Sequence, residues 1–322
     1  MTHAFRSAAA AVGPLDQGAL ADATALQGRL TKPAGALGLI EAIGIQLAGI
    51  AGECPPPVPA PAAVAIFAGD HGVLAEGVSP WPQEVTAQMA ANFVAGGAAI
   101  NVLARQAGAS VTVIDVGIAT DLGRLGLDGA PGLERRRVRA GTGNLAVEAA
   151  MSEAEAQEAL DIGAEMAAVL VAAGARCLVT GEMGIGNTTP AAALIAALTG
   201  ASPAQVTGRG TGIDDATWAR KVAVIERALA RHREALAAGP LAVLAAVGGL
   251  EIAALAGFIV GGAAARIPVV IDGVIADAAA LVAHMAQDKR DVSTMEVTPW
   301  RSRRNSAAAI PPAIVWPPGR SP

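Results

Sequence analysis

Residues 181–190 combine the residue types that bind an anion with a single carboxylate. They read Gly-Glu-Met-Gly-Ile-Gly-Asn-Thr-Thr-Pro, and the apolar run 177–180 before them predicts a short buried strand. The alanine-rich run 191–198 after them predicts a helix. A glycine-rich turn between a strand and a helix directs free backbone N–H groups at an anion. We therefore expect an anion site in this segment, with the Glu182 carboxylate inside the turn.

Three residues mark the ends of the predicted helix. Thr189 is a candidate N-cap, because its hydroxyl can accept from a free backbone N–H. Pro190 suits the first helical position, where no N–H donor is needed. Gly200 can adopt the left-handed conformation that ends a helix. The sequence therefore predicts a helix that begins at Pro190 and ends before Gly200.

Three further apolar runs predict strands, at 63–67, 110–116 and 267–271. A glycine-containing loop and a helical segment follow the strands, which favours an α/β fold with a mostly parallel sheet. Acidic residues close the strands, and parallel strands end at one sheet edge, where α/β proteins bind their ligands. The acids expected to meet at this edge are Asp70, Asp115, Glu182 and Asp272.

The composition limits the class of protein. Of the 322 residues, 53% are hydrophobic but only 2% are aromatic, so alanine and valine must fill a core of one large domain or of a large and a smaller one. The net charge of −5 leaves no basic surplus to neutralise phosphates, which argues against a nucleic-acid binder. Cys54 and Cys177 lie far apart, which indicates structural thiols and neither a zinc site nor a disulfide framework.

The run 241–262 is apolar enough to suggest a membrane span. Two adjacent glycines at 248–249 interrupt it, and Glu251 lies near its middle. Because a carboxylate is costly in lipid, a buried pair of helices is the preferred interpretation. Residues 1–11 contain no apolar core of signal-peptide length, so we expect a cytoplasmic protein with no membrane partner.

Three motifs allow more than one interpretation. Asp70-His71 is either a metal or acid/base pair or, more commonly for such a dipeptide, a turn with satisfied hydrogen bonds. The arginines at 135–137 and 139 either form a solvated face or reach an anion beside the Gly-Thr-Gly turn at 141–143. The glycine-rich stretch 208–212 resembles a dinucleotide fingerprint but lacks a preceding strand.

Lys221 lies on a helix predicted to begin at Asp214 or Asp215 and to run through residue 236. Taken by itself, it is an ordinary surface lysine. A dehydrogenase or other dinucleotide-binding module is the alternative from a different functional class, and it requires Gly-x-Gly-x-x-Gly after the first strand. The sequence there is Ala-Gly-Asp-His-Gly, at 68–72, which disfavours that alternative.

The chain divides at a proline-rich segment. Residues 1–60 contain predicted helices, and the proline-rich stretch 55–61 marks the boundary that follows them. Residues 61–285 hold the predicted sheet with its helices. From residue 286 on, arginine and proline replace the regular patterns, so we expect 286–322 to be a disordered tail.

Taken together, six segments resemble the nicotinate-nucleotide–dimethylbenzimidazole phosphoribosyltransferase family over residues 29–283. The segments are KPAGALG at 32–38, GDHGV at 69–73, EVTAQM at 84–89, VIDVG at 113–117, GEMGIGNTTP at 181–190 and VVIDG at 269–273. Each is short, but their joint presence in this order is specific to the family.

The resemblance implies a transfer of ribose 5-phosphate from nicotinate mononucleotide to 5,6-dimethylbenzimidazole. The products would be α-ribazole 5'-phosphate and nicotinate, in the assembly of the cobalamin nucleotide loop. The resemblance also implies a homodimer that uses no metal and no cofactor. Its implied fold is a Rossmann-like sheet flanked by helices, with a small helical domain from both chain ends.

The resemblance also assigns site residues. By position, Glu182, Gly184 and Lys221 belong to the nicotinate-nucleotide side, with Lys221 near the phosphate. Ser79 and Gln88 correspond to the benzimidazole side. The predicted substrate-binding set is completed by Asn187, Thr188 and Asp272, which lie in the same motifs.

The sequence departs from the family pattern near its C-terminus. The family's general base is a glutamate in a Leu-Gly-Glu-Gly-Thr-Gly motif, which does not occur after Asp272. We therefore leave the catalytic base unassigned, give Glu182 a supporting role, and hypothesise a shift of the reading frame between about residues 283 and 300. The alternative that follows is a nucleotide-binding relic with impaired turnover.

Overall fold

The computed structural model describes residues 3–287. Their strands are β1 (Ala62–Gly69), β2 (Ser110–Gly117), β3 (Leu133–Arg135), β4 (Cys177–Met183) and β5 (Val269–Val270). The helices are α1 (Ala4–Ala11), α2 (Gln17–Arg29), α3 (Leu39–Ala51), α4 (Glu84–Val94), α5 (Ala99–Ala107), α6 (Glu153–Ala172), α7 (Thr188–Thr199), α8 (Pro203–Val206), α9 (Asp215–Arg231), α10 (Arg233–Ala238), α11 (Pro240–Val247), α12 (Leu250–Ala264) and α13 (Val274–Gln287). Two short 3-10 helices, Gly72–Glu76 and Leu122–Leu125, follow β1 and β2.

The strands form one parallel sheet with the order β3-β2-β1-β4-β5. This confirms the predicted α/β fold with a mostly parallel sheet flanked by helices. In the register of β1, Phe67 lies opposite Glu182 of β4, and Ala68 lies opposite Asp115 of β2. The carboxyl ends of the three central strands are therefore level, and Asp70 follows β1 at the same edge.

β4 is longer than predicted and contains the key carboxylate. The prediction ended this strand at residue 180 and placed Glu182 in the turn, which is wrong. The strand continues to Met183, because these residues keep pairing with β1 up to the pair of Ala68 with Met183. The backbone of Glu182 is therefore held by the sheet, which fixes the carboxylate more firmly than a loop would.

α7 begins at Thr188, two residues earlier than predicted, so Pro190 is its third residue and Thr189 is not its N-cap. The backbone N–H of Thr189 already donates to the carbonyl of Gly186, so the chain turns into the helical conformation before it reaches the proline. Gly200 ends the helix as predicted, in the left-handed conformation with φ of 73°.

Three other parts of the fold differ from the prediction. β3 has no counterpart among the predicted strands, because three residues are too few to leave a periodic pattern. β5 comprises two residues instead of the predicted 267–271, since only these two pair with β4. The helix predicted to end at 236 is divided at His232 into α9 and α10, and Asp214 caps α9 by accepting from the N–H of Thr217.

Helix α12 forms the centre of the main core. Every residue from 250 to 262 is buried, which agrees with the interpretation of this apolar run as helices packed inside the protein. The backbones of α6 and α12 touch each other. A Cβ atom on Gly163 would lie 1.8 Å from the carbonyl oxygen of Ala254, and one on Gly257 would lie 1.9 Å from that of Leu160. Only glycine fits at these two positions.

The N-terminal helices pack in two places. Phe5 of α1 lies in the main core, whereas Ala19, Ala23 and Ala48 of α2 and α3 form a separate apolar cluster. The guanidinium of Arg266 links this helix pair to the rest of the protein by donating to the carbonyl oxygens of Pro14, Gly49 and Ile50. The proposed domain bounds at residues 60 and 285 stay a prediction. The predicted tail lies outside the described residues, apart from 286 and 287 at the end of α13.

One helical stretch, Glu84–Ala107, has the length and composition of a membrane-spanning helix, with 24 residues and a mean hydropathy of 1.3 over 18 of them. It consists of α4 and α5, separated by a turn in which Gly96 has a φ of 77°. A single apolar stretch of this kind is weak evidence for a membrane span, and the turn weakens it further.

The contact between α6 and α12 gives a stability prediction. We expect Gly257→Ala to lower the free energy of unfolding by more than about 4 kcal/mol, because the added methyl group must separate two packed backbones. Gly28→Ala on α2 is the matched control, since its Cβ would meet nothing within 4 Å. The control should be neutral or stabilising by up to about 1 kcal/mol. Urea unfolding of both variants measures this, and equal stability would contradict the packing.

Candidate active site

The carboxyl edge of the sheet carries three buried or half-buried acids. Asp70 and Asp115 are fully buried and hold the loop after β2, since Asp70 accepts from the N–H of Ala119 and Asp115 from that of Ile118, both at 2.8 Å. Burial raises the pKa of both carboxyl groups, and these hydrogen bonds oppose the rise. Glu182 is half-buried and therefore reachable from solvent. Glu182 is thus the acid available for chemistry, and the other two shape the edge.

The environment of Glu182 sets its charge near neutral pH. Burial, and next the negative charge of Glu251, raise the pKa of Glu182 to about 7. The side-chain amide of Asn187 donates to the Glu182 carboxylate, and this bond and the charge of His71 lower the pKa. Asn187 therefore orients the carboxylate at the end of β4. The sequence had predicted Asn187 as a substrate-binding residue.

A buried ion pair lies beside the turn that follows β4. The Nε2 atom of His71 is 2.9 Å from the Oε1 atom of Glu251, and both side chains are 0% exposed. Burial by itself lowers the pKa of His71, but the carboxylates of Glu251, Asp70 and Glu182 raise it above its usual value. The sequence left open whether Asp70-His71 forms a metal or acid/base pair or only a turn. In the structure the acidic partner of His71 is Glu251.

Glycines from three elements leave room for this pair. A Cβ atom on Gly249, which precedes α12, would lie 2.7 Å from both the Cε1 atom of His71 and the Oε2 atom of Glu251. One on Gly184 would lie 3.0 Å from the Nε2 atom of His71, and one on Gly69 would lie 3.3 Å from the Oε2 atom of Glu251. Gly184 therefore has a structural reason to be glycine, besides its predicted place in the substrate site.

A buried cation lies at the other end of the turn. Lys221 of α9 is only 2% exposed, and its ammonium group donates to the hydroxyl of Thr188 at 2.6 Å. Burial lowers the pKa of Lys221 to about 8. Among residues 3–287 no carboxylate forms an ion pair with this ammonium group. Lys221 is thus not the ordinary surface lysine that its sequence context suggests.

The glycine-rich stretch 208–212 borders the same position. A Cβ atom on Gly210 would lie 3.3 Å from the Thr188 hydroxyl and 4.0 Å from the Lys221 ammonium nitrogen. The φ of Gly210 is 52°, in the left-handed region. This loop therefore covers the cation, a role that the weak dinucleotide resemblance did not predict.

Three predicted residues do not contact the group around Glu182 and Lys221. Ser79 is half-buried, and its hydroxyl accepts from the N–H of Trp81 at 3.2 Å. Gln88 is exposed on α4, and Asp272 is exposed just beyond β5. The α4 residue that reaches the turn is Thr86, whose buried hydroxyl accepts from the N–H of Ile185 at 3.1 Å. The sequence did not single out Thr86.

The arginines at 135–137 and 139 form ion pairs with acidic side chains of the same protein. Each of their guanidinium groups has a carboxylate partner, and the pairs are Arg135 with Asp128, Arg136 with Glu165, Arg137 with Asp115 and Arg139 with Glu155. These pairs fasten β3 and the following segment to the body. The alternative of an anion site at these arginines therefore has no support. Within the part of the chain that is described, no group of three or more metal-ligating side chains occurs either.

The site therefore combines a cation and a carboxylate on one strand–turn–helix segment. Glu182 ends β4, and Thr188, which holds Lys221, begins α7. A ligand that lies along this segment meets a positive charge at one end and a negative charge at the other. This suits a small molecule with an anionic group and a second position where positive charge develops.

Glu251 is the functional candidate that sequence reasoning missed. Its signal was present, since an acid near the middle of a long apolar run must be either exposed or partnered. In the sequence, that acid served only as an argument against a membrane span. Its partner, His71, is 180 residues away in the sequence, so only the fold brings the two together.

Both the sequence and the fold are similar to those of known proteins. The sequence matches a family described as Phosphoribosyltransferase over residues 12–295. It is 59% identical to the nicotinate-nucleotide–dimethylbenzimidazole phosphoribosyltransferase of Salinispora tropica, over 85% of this chain and 78% of that protein. It is 53% identical to the protein of the same name from Roseiflexus sp., over 85% of this chain and 76% of that protein. The crystal structure of CobT from Thermus thermophilus superposes with a TM-score of 0.79 at 46% identity, over 84% of this chain and 78% of that one.

The hydrogen bond from Asn187 to Glu182 gives a prediction about ionisation. Because the amide stabilises the charged carboxylate, Asn187→Ala should raise the pKa of Glu182 above its value of about 7. The titration of ¹³C-labelled glutamate carboxyl groups by NMR measures this, with the Glu182 signal identified as the one lost in Glu182→Gln. Asn101→Ala, at another buried asparagine, is the control and should leave the midpoint unchanged. An unchanged or lower midpoint in Asn187→Ala would contradict the assignment.

Proposed function

The chain belongs to the nicotinate-nucleotide–dimethylbenzimidazole phosphoribosyltransferase family, and we propose that it transfers ribose 5-phosphate from nicotinate mononucleotide to 5,6-dimethylbenzimidazole. It is a transferase of the phosphoribosyltransferase type. The products are α-ribazole 5'-phosphate and nicotinate, formed during assembly of the cobalamin nucleotide loop. The names of its relatives support this transferase activity and lend nothing to the alternative of a nucleotide-binding relic.

The observation that carries the proposal is the buried ammonium group of Lys221. A buried lysine without an acidic partner is costly, and an anionic ligand relieves that cost. Its contact with Thr188 places the ammonium at the first turn of α7, where the dipole of the helix also favours an anion. We assign this position to the phosphate of nicotinate mononucleotide, with the loop at Gly210 over it.

We assign Glu182 to the ribose. The bond from C1' to the pyridinium nitrogen breaks with its electron pair going to the ring, so nicotinate leaves and positive charge develops on the sugar. A carboxylate next to C1' stabilises that charge, provided that it is ionised. Because burial raises the pKa of Glu182 to about 7, the ionised fraction grows as the pH rises through 7. Turnover should therefore rise over the same interval.

The incoming base supplies the electron pair of the new bond to C1'. The unprotonated ring nitrogen of 5,6-dimethylbenzimidazole attacks C1', and the proton on its other nitrogen is then lost to a general base. We propose Ser79 and Gln88 for this side on the basis of their motif positions, with Asp272 at the same sheet edge. Gln88 and Asp272 are exposed and Ser79 is half-buried, so all three are accessible to a ligand.

We also propose a cytoplasmic homodimer. Large apolar side chains are exposed at the start of α3 and on α5, and a second copy of the chain would cover them. They are Leu37, Leu39, Ile40, Val102 and Leu103. Cys54 and Cys177 are both free thiols, as expected in a reducing compartment.

Substitution of Lys221 tests the phosphate assignment. We expect Lys221→Met to lower kcat/KM for nicotinate mononucleotide by about 100-fold, mainly through KM, because the phosphate loses a buried cation. The variant should be as stable as the wild type or more stable, since a buried charge is removed. Arg231→Met, an exposed residue on the same helix, is the matched control and should leave both constants unchanged. Wild-type kinetics in Lys221→Met would contradict the assignment.

Substitution of Glu182 tests the ribose assignment. We expect Glu182→Gln to lower kcat by about 10²–10³-fold with little change in KM, because its carboxylate acts on charge that appears only in the transition state. The formation of α-ribazole 5'-phosphate, followed by chromatography, provides the rate. A variant that retains wild-type kcat would remove Glu182 from the mechanism.

A further inference from the structure

The proposed chemistry does not use the ion pair between His71 and Glu251. Its two side chains are 0% exposed, so neither can contact a substrate. They lie beside the turn that follows Glu182, because a Cβ atom on Gly184, two residues after Glu182, would be 3.0 Å from the Nε2 atom of His71. The pair therefore acts on a ligand only through another residue.

A buried ion pair of this kind is unfavourable for folding. Two charges lose their hydration, and well-packed apolar residues in their place are often equally or more stable. Several polar atoms here also lack a hydrogen-bond partner in the described protein, among them Nδ1 of His71, Oε2 of Glu251 and Oδ1 of Asp70. The arrangement is thus better explained by a role in the site than by a gain in stability.

The fold keeps this space free of other side chains. Gly69, Gly184 and Gly249 come from three separate elements, and a methyl group on any of them would crowd the pair. Glu251 is also the second residue of α12, where the helix N-terminus favours a negative charge. Three chain segments and a helix terminus therefore converge on one His–Glu contact.

The charges that face this contact form a small set. Glu251 from α12, Asp70 from the end of β1 and Glu182 from β4 face the ring of His71. Glu251 and His71 are in turn the charged groups that face Glu182, which also receives the uncharged amide of Asn187. The cluster has three carboxylates and one imidazole, so the imidazolium is its only cation among the described residues.

We propose that His71 and Glu251 are positioning residues for the transfer reaction, and that their buried ion pair, held at the carboxyl edge beside β4, sets the charge state of the Glu182 carboxylate. The imidazolium favours the ionised form of Glu182, and the carboxylate of Glu251 favours the protonated form of the imidazole. No covalent step takes place on either residue. The inference rests on the proposed function, since it concerns how that function's carboxylate is controlled.

Removal of the cation tests the inference. In His71→Asn, the Glu182 carboxylate faces the charge of Glu251 without a neighbouring cation, so Glu182 releases its proton only at higher pH. We expect the rising limb of the plot of kcat against pH to move upward by about one pH unit, and kcat at pH 6 to fall about tenfold. KM for nicotinate mononucleotide should change less than twofold at high pH, because the phosphate site is untouched.

Removal of both charges provides the rescue. The double variant His71→Asn/Glu251→Gln leaves Glu182 without either neighbouring charge, so its limb should return toward the wild-type pH. Glu251→Gln alone removes the carboxylate that favours the protonated imidazole, so an NMR titration of the His71 ring should show a lower pKa than in the wild type, which tests the inference even where His71→Asn does not fold. A purely structural role predicts lower stability and additive losses of kcat, with the limb at one pH in all variants.

Matched substitutions elsewhere control for general damage. His232→Asn removes an imidazole that contacts the backbone carbonyl of Leu145, and Glu155→Gln alters an acid in the capping box of α6. Both should leave the limb in place. A limb that stays in place in folded His71→Asn, or a His71 ring whose titration is unchanged in Glu251→Gln, overturns the inference but leaves the proposed function intact. A wild-type protein that forms no α-ribazole 5'-phosphate at any pH overturns the proposed function itself.

Discussion

Helix α12 lies against α6 with the two backbones in contact, because Gly163 and Gly257 leave no side chain between them. This contact lets a helix made almost entirely of apolar residues lie inside the protein, beneath the sheet. The N-terminal turn of α12 therefore lies next to the carboxyl ends of the central strands. The site depends on this packing, because it brings the carboxylate of Glu251 to His71 without exposing either side chain.

The site is divided between two charges on one local segment. β4 and α7 carry Glu182 and Thr188, and the turn between them determines how far the carboxylate stands from the ammonium of Lys221. Both charged groups are held by burial at pKa values near neutrality, about 7 for Glu182 and about 8 for Lys221. Such groups are unfavourable for folding but respond strongly to a charged ligand, and they cluster at functional sites.

Much of this architecture could be predicted from the sequence. Apolar runs that end in an acid and a glycine were sufficient for a parallel sheet with a polar edge. The anion site at the glycine-rich turn 181–190 stays a prediction. The predictions that failed concern the local bounds of strands and helices. Glu182 was expected in the turn because periodicity does not show where sheet pairing stops, and α7 was expected to begin at Pro190 because the earlier turn hydrogen bonds leave no sequence signal. The pairing of His71 with Glu251 could not be predicted, since it depends on how α12 packs in three dimensions.

The central claim is that nicotinate mononucleotide lies along β4 and α7, with its phosphate at Lys221 and C1' at Glu182. A crystal structure of the protein with bound nicotinate mononucleotide tests it most directly. The account predicts phosphate oxygens within hydrogen-bond distance of the Lys221 ammonium and the Thr188 hydroxyl, with the Glu182 carboxylate facing C1'. A phosphate bound elsewhere, such as at the arginines of 135–139, with Lys221 left without an anion, would contradict it.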